Sequence, residues 1–599
     1  MSDAPNRLVP AGSRVALSVL VTLVVLSPWP FGSVHLRTTQ AVALVSLATA
    51  FGALLWDGWR GPLPLAPRTV LWPFAGLWAL AVFQWLPLPE ALHHWIAPGS
   101  AAVWYPDAPA AGAVLGPGPH SISLYPEATL RWIAFATGVV ALALAAAPAL
   151  RERRFLLRAS TAVVVGGVLV AVYGLVARVV FGDKLYGFLT VPTIAPFGPF
   201  VSKNHFAGYV EMAACLGVGL AAGLADEARR GPERLGWLDS RRAGWIVFAW
   251  GAAGVLVLAV PVSLSRGGTV SLAAGLVAFV LIRLSTRRRL PGSPRALAIA
   301  AACLVVVGLG VAWVLPPEAR SRVSTLASTR AGGPDPFRLG VWHDSLRLAA
   351  SSPFLGSGLG AFEDALPRFK TAAGDLRVEH AENDYVELLA EGGGGAIVLV
   401  ALAALSAFRL GLGRVRADVH RLARGVTAGA LAGMAALLVH SAVDFNSRIP
   451  SNALLFCLLF AANLPPEARA AEDSVGVRAR ARWSRSLVLL LLMLATAAAL
   501  AFAGPWAPRR LDAARLWRAP ASPATALRWR SLESDVVEHL RHRPADAQAW
   551  VALAWLRAPA SAPEATALAS WAVRLDPEHV ALREAAERVA GAQIQPRRP

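Results

Sequence analysis

The run from His380 to Gly393, H-A-E-N-D-Y-V-E-L-L-A-E-G-G, concentrates an imidazole, an amide and four carboxylates directly before an apolar stretch. At spacings of three and four, His380, Asn383, Asp384 and Glu387 share one helical face, and Glu387 and Glu391 are i,i+4 neighbours. Such a cluster near a membrane surface could supply a general base and hydrogen-bond acceptors for a hydroxyl. The same acids also suit the positive end of a solvated helix. Other ionisable residues stand at the edges of apolar runs. Arg266 sits in the tight turn Ser265–Gly268, where a planar guanidinium suits a diphosphate or a lipid phosphate. Lys203, Asn204 and His205 open a further apolar run, so backbone N–H groups at a helix start would lie beside a lysine, a reasonable phosphate site, or Lys203 simply snorkels. Glu211 lies about two turns into that run. His440 and Asp444 stand i,i+4 near the end of another; at such depth ionisable groups face a cavity or lock helices together. Arg338 and Arg347 lie in a long polar segment and are further candidates to meet an anionic substrate.

The elements that must position these groups are membrane helices. The chain is 55% hydrophobic and only 16% charged, against about 25% charged in soluble chains. Thirteen segments carry enough apolar length to span a bilayer: 15–33, 39–56, 69–87, 128–148, 159–181, 205–225, 243–264, 268–283, 296–315, 393–411, 425–444, 449–464 and 486–504. Alternate connections are rich in arginine, such as Arg151, Arg153, Arg154 and Arg158, or Arg409, Arg414, Arg416, Arg421 and Arg424. The stretch 88–127 has neither Lys nor Arg. This asymmetry predicts a cytoplasmic N-terminus, with 88–127, 182–204, 265–268 and 316–392 facing outward. The net charge of +19 therefore faces lipid headgroups, and no nucleic-acid partner is expected. Cys215, Cys303 and Cys457 lie inside apolar runs without metal-ligand spacing.

The expected organisation is 1–127, N-terminal membrane helices and an outer loop; 128–464, a membrane domain with the outer loop 316–392; 465–504, a basic linker and the last membrane helix; and 505–599, an outward helical tail. In the tail, Pro544 of Arg543–Ala547 and Pro577 of Leu575–His579 stand 33 residues apart, each stretch beside a helix-like run. That period fits tetratricopeptide helix pairs, and a plain helical tail fits as well.

Several stretches, in order, resemble the O-antigen ligase and O-antigen polymerase superfamily. Ser121–Thr129 is similar to the segment before its fourth helix, and Phe200–Tyr209 to its F-x-N-x-N-H-F-A-G-Y element. Ser265-Arg266-Gly267 matches its S-R-G turn. Trp342, with Pro353 to Phe362, resembles its W…P-x-x-G-x-G-x-x-F loop. His380–Gly393 resembles its H-x-H-N-x-x-L-x-x-x-x-E-x-G signature, and His440–Phe445 a late helix element. The family's histidine directly before the asparagine is replaced here by Glu382, leaving His380 two residues earlier.

The resemblance implies an all-α, GT-C-like polytopic membrane protein that moves a glycan from an undecaprenyl-diphosphate-linked donor to an acceptor hydroxyl, of a lipid A core, another glycan or a protein. It implies Glu382, His380 and Asn383 as catalytic residues, and Arg266, Lys203 and Arg338 as ligands of the diphosphate. His205, Glu211, His440, Asp444 and Glu391 are further polar candidates. No cofactor or metal is expected, since the basic residues would meet the leaving-group charge. Membrane lipids and, through the tail, a periplasmic protein are possible partners. A transporter of an amphipathic solute and a non-catalytic membrane scaffold are the alternatives.

Overall fold

The computed structural model describes residues 9–60, 67–191, 196–228, 241–285, 336–371, 373–418, 420–464 and 526–591. Contacts divide the chain into two units: Met1–Leu71, Ala134–Gly332 and Leu402–Ala498 in one, and Trp72–Ile133, Gly333–Ala401 and Ala499–Pro599 in the other. The described residues are overwhelmingly helical. Eleven of the thirteen expected spans coincide with helices, and 296–315 and 486–504 lie outside the described residues. Eight helices are long and apolar enough to cross a membrane, and three shorter apolar ones accompany them.

The first unit contains α1 (Ala11–Leu26), α2 (Leu36–Arg60), most of α7 (Pro126–Ala146), α8 (Arg153–Phe181), α9 (Lys203–Ala228), α10 (Arg241–Val262), α11 (Arg266–Ser285), the end of α14 (Asp384–Ala417), α15 (Arg421–His440) and α16 (Pro450–Asn463). At its centre α9 packs against α15, and both are largely buried. Small residues four apart make this approach possible. A Cβ on Gly219 would stand 2.5 Å from the Gly425 carbonyl oxygen, and one on Gly429 2.6 Å from that of Cys215. Without a hydrophobic drive between helices in lipid, such backbone-to-backbone packing supplies the contact.

The second unit contains α3 (Arg68–Trp85), whose first residues fall in the other unit, the short helices α4 (Glu90–Ile96), α5 (Pro98–Trp104) and α6 (Pro109–Leu115), then α12 (Pro336–Ser351), α13 (Phe362–Ala365) and the first half of α14. It also holds the tail helices α17 (Ala526–His542), α18 (Ala547–Arg557), α19 (Ala562–Leu575) and α20 (Val580–Gly591). A two-residue antiparallel pair, β1 (Pro87–Leu88) with β2 (His120–Ser121), closes the 88–127 segment. One hydrophobic core runs through Trp104, Val114, Leu348, Phe362, Trp550 and Leu568. The segment 88–127, the segment 336–378 and the tail are therefore one folded body, and the intervening "loops" are mostly short helices.

Candidate active site

The acidic signature folds differently from one continuous helix. Asn383 caps α14: its Oδ1 accepts from the N–H groups of Tyr385 at 3.0 Å and Val386 at 3.2 Å, as an N-cap side chain does. Just before it, Glu382 takes φ +55°, a conformation costly for a side chain with a Cβ and one that concentrates at functional sites. This reversal folds the preceding residues back over the helix. His380 Nδ1 meets Glu387 Oε1 at 2.9 Å, and the other Glu387 oxygen accepts from the Ala381 N–H at 2.9 Å. A carboxylate only accepts, so Nδ1 carries the proton and Nε2 is the basic nitrogen. Glu387 is buried, and the His380 side chain keeps 31% of its exposure.

Arg338, on the first turn of α12, donates to Glu382 Oε2 at 2.9 Å, and both side chains are partly exposed. The imidazole–carboxylate and guanidinium–carboxylate pairs thus draw on His380 and Glu382, two sequence positions apart and next to one cap.

Glu391 has a different setting. It is buried, and its Oε1 accepts from the Phe362 N–H at 3.2 Å. Around it the glycine-rich loop 353–362 is laced to α14: Ser357 N–H to Ala390 O at 3.0 Å, Gly358 N–H to Glu391 O at 3.0 Å and Gly394 N–H to Pro353 O at 2.8 Å. Gln84, fully buried in α3, completes the junction by donating to Leu355 O at 2.5 Å and Glu391 O at 2.8 Å while accepting from Leu359 N–H at 3.0 Å. Sequence reasoning passed over Gln84, although an amide inside the apolar run of α3 is itself a signal, because a buried amide needs its partners.

The first unit holds a second polar network. Asp444 Oδ2 accepts from Asn204 Nδ2 at 2.5 Å; Asn204 Oδ1 accepts from Ser265 Oγ at 2.9 Å; and Ser265 Oγ accepts from Gly268 N–H at 3.1 Å. His205 Nε2 lies 3.4 Å from Asp444 Oδ1. Beneath it, His440 Nδ1 stands 3.2 Å from both oxygens of Glu211, both residues buried. The first turn of α11 lies directly on α9 and α15: a Cβ on Gly268 would come within 2.5 Å of Ala207, and one on Gly267 within 3.1 Å of His440. With its backbone held there, the turn leaves Arg266 exposed. Lys203, the first residue of α9, is half-buried. The structure therefore brings Asn204, His205, Asp444 and Ser265 together, and Glu211 with His440. In the second unit it groups His380 with Glu387 and Glu382 with Arg338. Among the described residues no three His, Cys, Asp or Glu converge as metal ligands.

Apolar spans bearing polar clusters at helix starts and turns define a multi-span membrane protein. Residues 251–401 match the family model described as O-antigen ligase, Wzy_C. Over these residues the chain is similar to the O-antigen ligase superfamily, in agreement with the motifs that resemble it. The match takes in the Ser265-Arg266 turn, Arg338, the glycine-rich loop and the His380–Glu391 signature, and leaves Lys203–His205 and His440–Asp444 outside. No curated protein matches the chain.

Proposed function

We propose that this protein transfers a glycan from an undecaprenyl-diphosphate-linked donor to an acceptor hydroxyl at the outer face of the bacterial inner membrane. His380 is the general base. The acceptor O–H gives its proton to His380 Nε2, the oxygen bonds to C1 of the donor sugar, and the C1–O bond to phosphate breaks. Undecaprenyl diphosphate leaves with the electron pair. Arg338, steadied by Glu382, meets charge developing on the phosphate. The exposed Arg266 is a phosphate-recognition group, with Lys203 a further candidate. Asn383 serves by fixing the cap that sets His380 and Glu382.

The observation that carries this reading is the 2.9 Å contact between His380 Nδ1 and the buried Glu387 carboxylate. It is the arrangement in which a carboxylate selects the tautomer of a histidine base and stabilises its protonated form. Glu382 is less suited to be the base, since its Oε2 already accepts from the Arg338 guanidinium. Two facts support the orientation, N-terminus cytoplasmic and tail periplasmic. The arginine-poor segment 88–127, the segment 336–378 and the tail share one core and so lie on one side of the membrane, and the arginine clusters lie in the alternate connections. The four tail helices suit a tetratricopeptide-like pair of hairpins.

The surface polysaccharide of a deletion strain tests the reading and names the acceptor. Loss of long chains from lipid A indicates ligation, and chains of single-repeat length indicate polymerisation. An unaltered profile of every surface glycan and glycoprotein would contradict it.

A further inference from the structure

The two related turns of the tail hold the segment that leads into the candidate active site, and they do so from equivalent positions with opposite charge. Arg543 and Asp576 occupy the same place in the two turns, 33 residues apart. Each turn is followed by a capped helix: Asp546 Oδ1 accepts from Ala549 N–H at 3.1 Å, and His579 Nδ1 accepts from Leu582 N–H at 3.2 Å. From the first turn, Arg543 pairs through Nε and Nη2 with Asp364 Oδ1, and its guanidinium lies 4.4 Å from the centre of the Tyr125 ring. From the second, Asp576 pairs with Lys370 Nζ at 3.1 Å. All four charged side chains are nearly fully buried. Just beyond, His579 Nδ1 lies 3.1 Å from Asp375, whose Oδ1 also accepts from Val580 N–H at 2.6 Å.

The gripped segment therefore runs from α13 to Asp375 and continues without interruption to His380 and Glu382. Its charges, acidic at 364 and basic at 370, mirror those of the tail, basic at 543 and acidic at 576. Only one register satisfies both pairs, since a shift by one turn would set like charges together in a buried site.

We infer that the tail's ligand is the chain's own segment 362–378, and that Arg543 and Asp576 are positioning residues that hold the His380–Glu382 segment in its working geometry. The repeat surface that would otherwise recruit a separate protein is occupied in cis. The consequence for catalysis rests on the function proposed above; the grip itself does not.

The test uses the full-length protein in lipid nanodiscs. Arg543→Asp and Asp364→Arg are made singly and together, with the milder Asp576→Asn at the other turn. Amide exchange is followed over 362–382, alongside glycan transfer from undecaprenyl-diphosphate-linked donor. Each single variant is expected to speed exchange over 376–382 by about tenfold or more and to lower kcat while leaving the donor KM within about threefold. The charge-swapped double variant is expected to recover most of both, and Asp576→Asn to give a smaller change of the same kind. Unchanged exchange over 376–382 in the single variants, a swap that recovers nothing, or rapid exchange at turns 543–546 and 576–579 already in the wild type, as for a tail awaiting an outside partner, would overturn the inference. If the wild type transfers no glycan, the proposed function fails while the exchange measurements still decide the grip.

Discussion

His380 reaches Glu387 across seven positions of sequence, at 2.9 Å, because the chain reverses at Glu382 and not because the two share a helix. Glu387→Gln keeps the size of the side chain and the Ala381 N–H contact but cannot stabilise a charged imidazole. Transfer should fall roughly 10–10³-fold, mostly in kcat, with donor KM little changed. Steady-state kinetics on reconstituted protein check this, and a pure KM effect would point to a binding role.

Glu382 and Arg338 can be told apart from His380 by the kind of defect they leave. Glu382→Gln should retain transfer within about tenfold, because Gln can still steady Arg338 while it could not act as a base. Arg338→Ala should raise the donor KM and lower kcat together, and Arg338→Lys should rescue little, since a point charge does not replace a planar fork. Loss of turnover in Glu382→Gln as deep as that in His380→Ala would make Glu382 the base.

In the first unit, Asn204→Ala removes the link between Asp444 and Ser265 that braces the Arg266 turn. Its donor KM should rise in the same direction as in Arg266→Ala, and the double variant should be less than additive, as residues acting through one another are. Independent, fully additive effects would separate Asn204 from Arg266.

The helices were legible because spanning a bilayer demands about 20 apolar residues, and that demand shows in the sequence at each of the eight described helices long and apolar enough to cross one. The motifs at 265 and 380 were legible as clusters of chemistry-bearing types. Their internal pairing was not. A uniform helical spacing put His380 on the face of Asn383 and Glu387, whereas α14 starts at Asp384 and only the left-handed Glu382 brings His380 over. Glu391 was legible as a further polar candidate, and the loop group it accepts from, the Phe362 N–H, was not. The tail looked like an appendage because its contacts with 103–124 and 341–378 are entirely long-range, and no local pattern encodes them.

The junction of the glycine-rich loop with α14 should tolerate no side chain at two positions. Gly356 and Gly393 have φ of +66° and +65°, and a Cβ on either would lie within 2.3 Å of the facing backbone. Gly356→Ala and Gly393→Ala should each cost upward of ~2 kcal/mol. Gln84→Ala, which leaves the Leu355 carbonyl and the Leu359 N–H without the amide and takes one of two donors from the Glu391 carbonyl, should cost about 2–4 kcal/mol. Thermal unfolding in detergent reads these losses, with Gly394→Ala, which has room, as the control.

Acid should loosen the second unit through His93. Burial, then the neighbouring His120 and His94, pull its pKa down from 6.5 to about 4. The fold thus favours the neutral ring, whose Nε2 lies 3.1 Å from Ser100 Oγ. A lowered pKa means this stability is fully present above pH 6.5 and drains away as the pH falls toward 4. The melting temperature should drop through that window, and His93→Gln should flatten the slope. An identical slope in the variant would assign the acid sensitivity to other groups.

The central claim, that His380 oriented by Glu387 takes the acceptor proton, is tested most directly by single-turnover transfer from a labelled undecaprenyl-diphosphate glycan in nanodiscs, with the glycan product and the released undecaprenyl diphosphate both quantified. The account predicts equimolar release and transfer in the wild type, and in His380→Ala a fall of roughly 10²–10⁴-fold in the chemical step with donor still bound. His380→Ala turning over at the wild-type rate would contradict it.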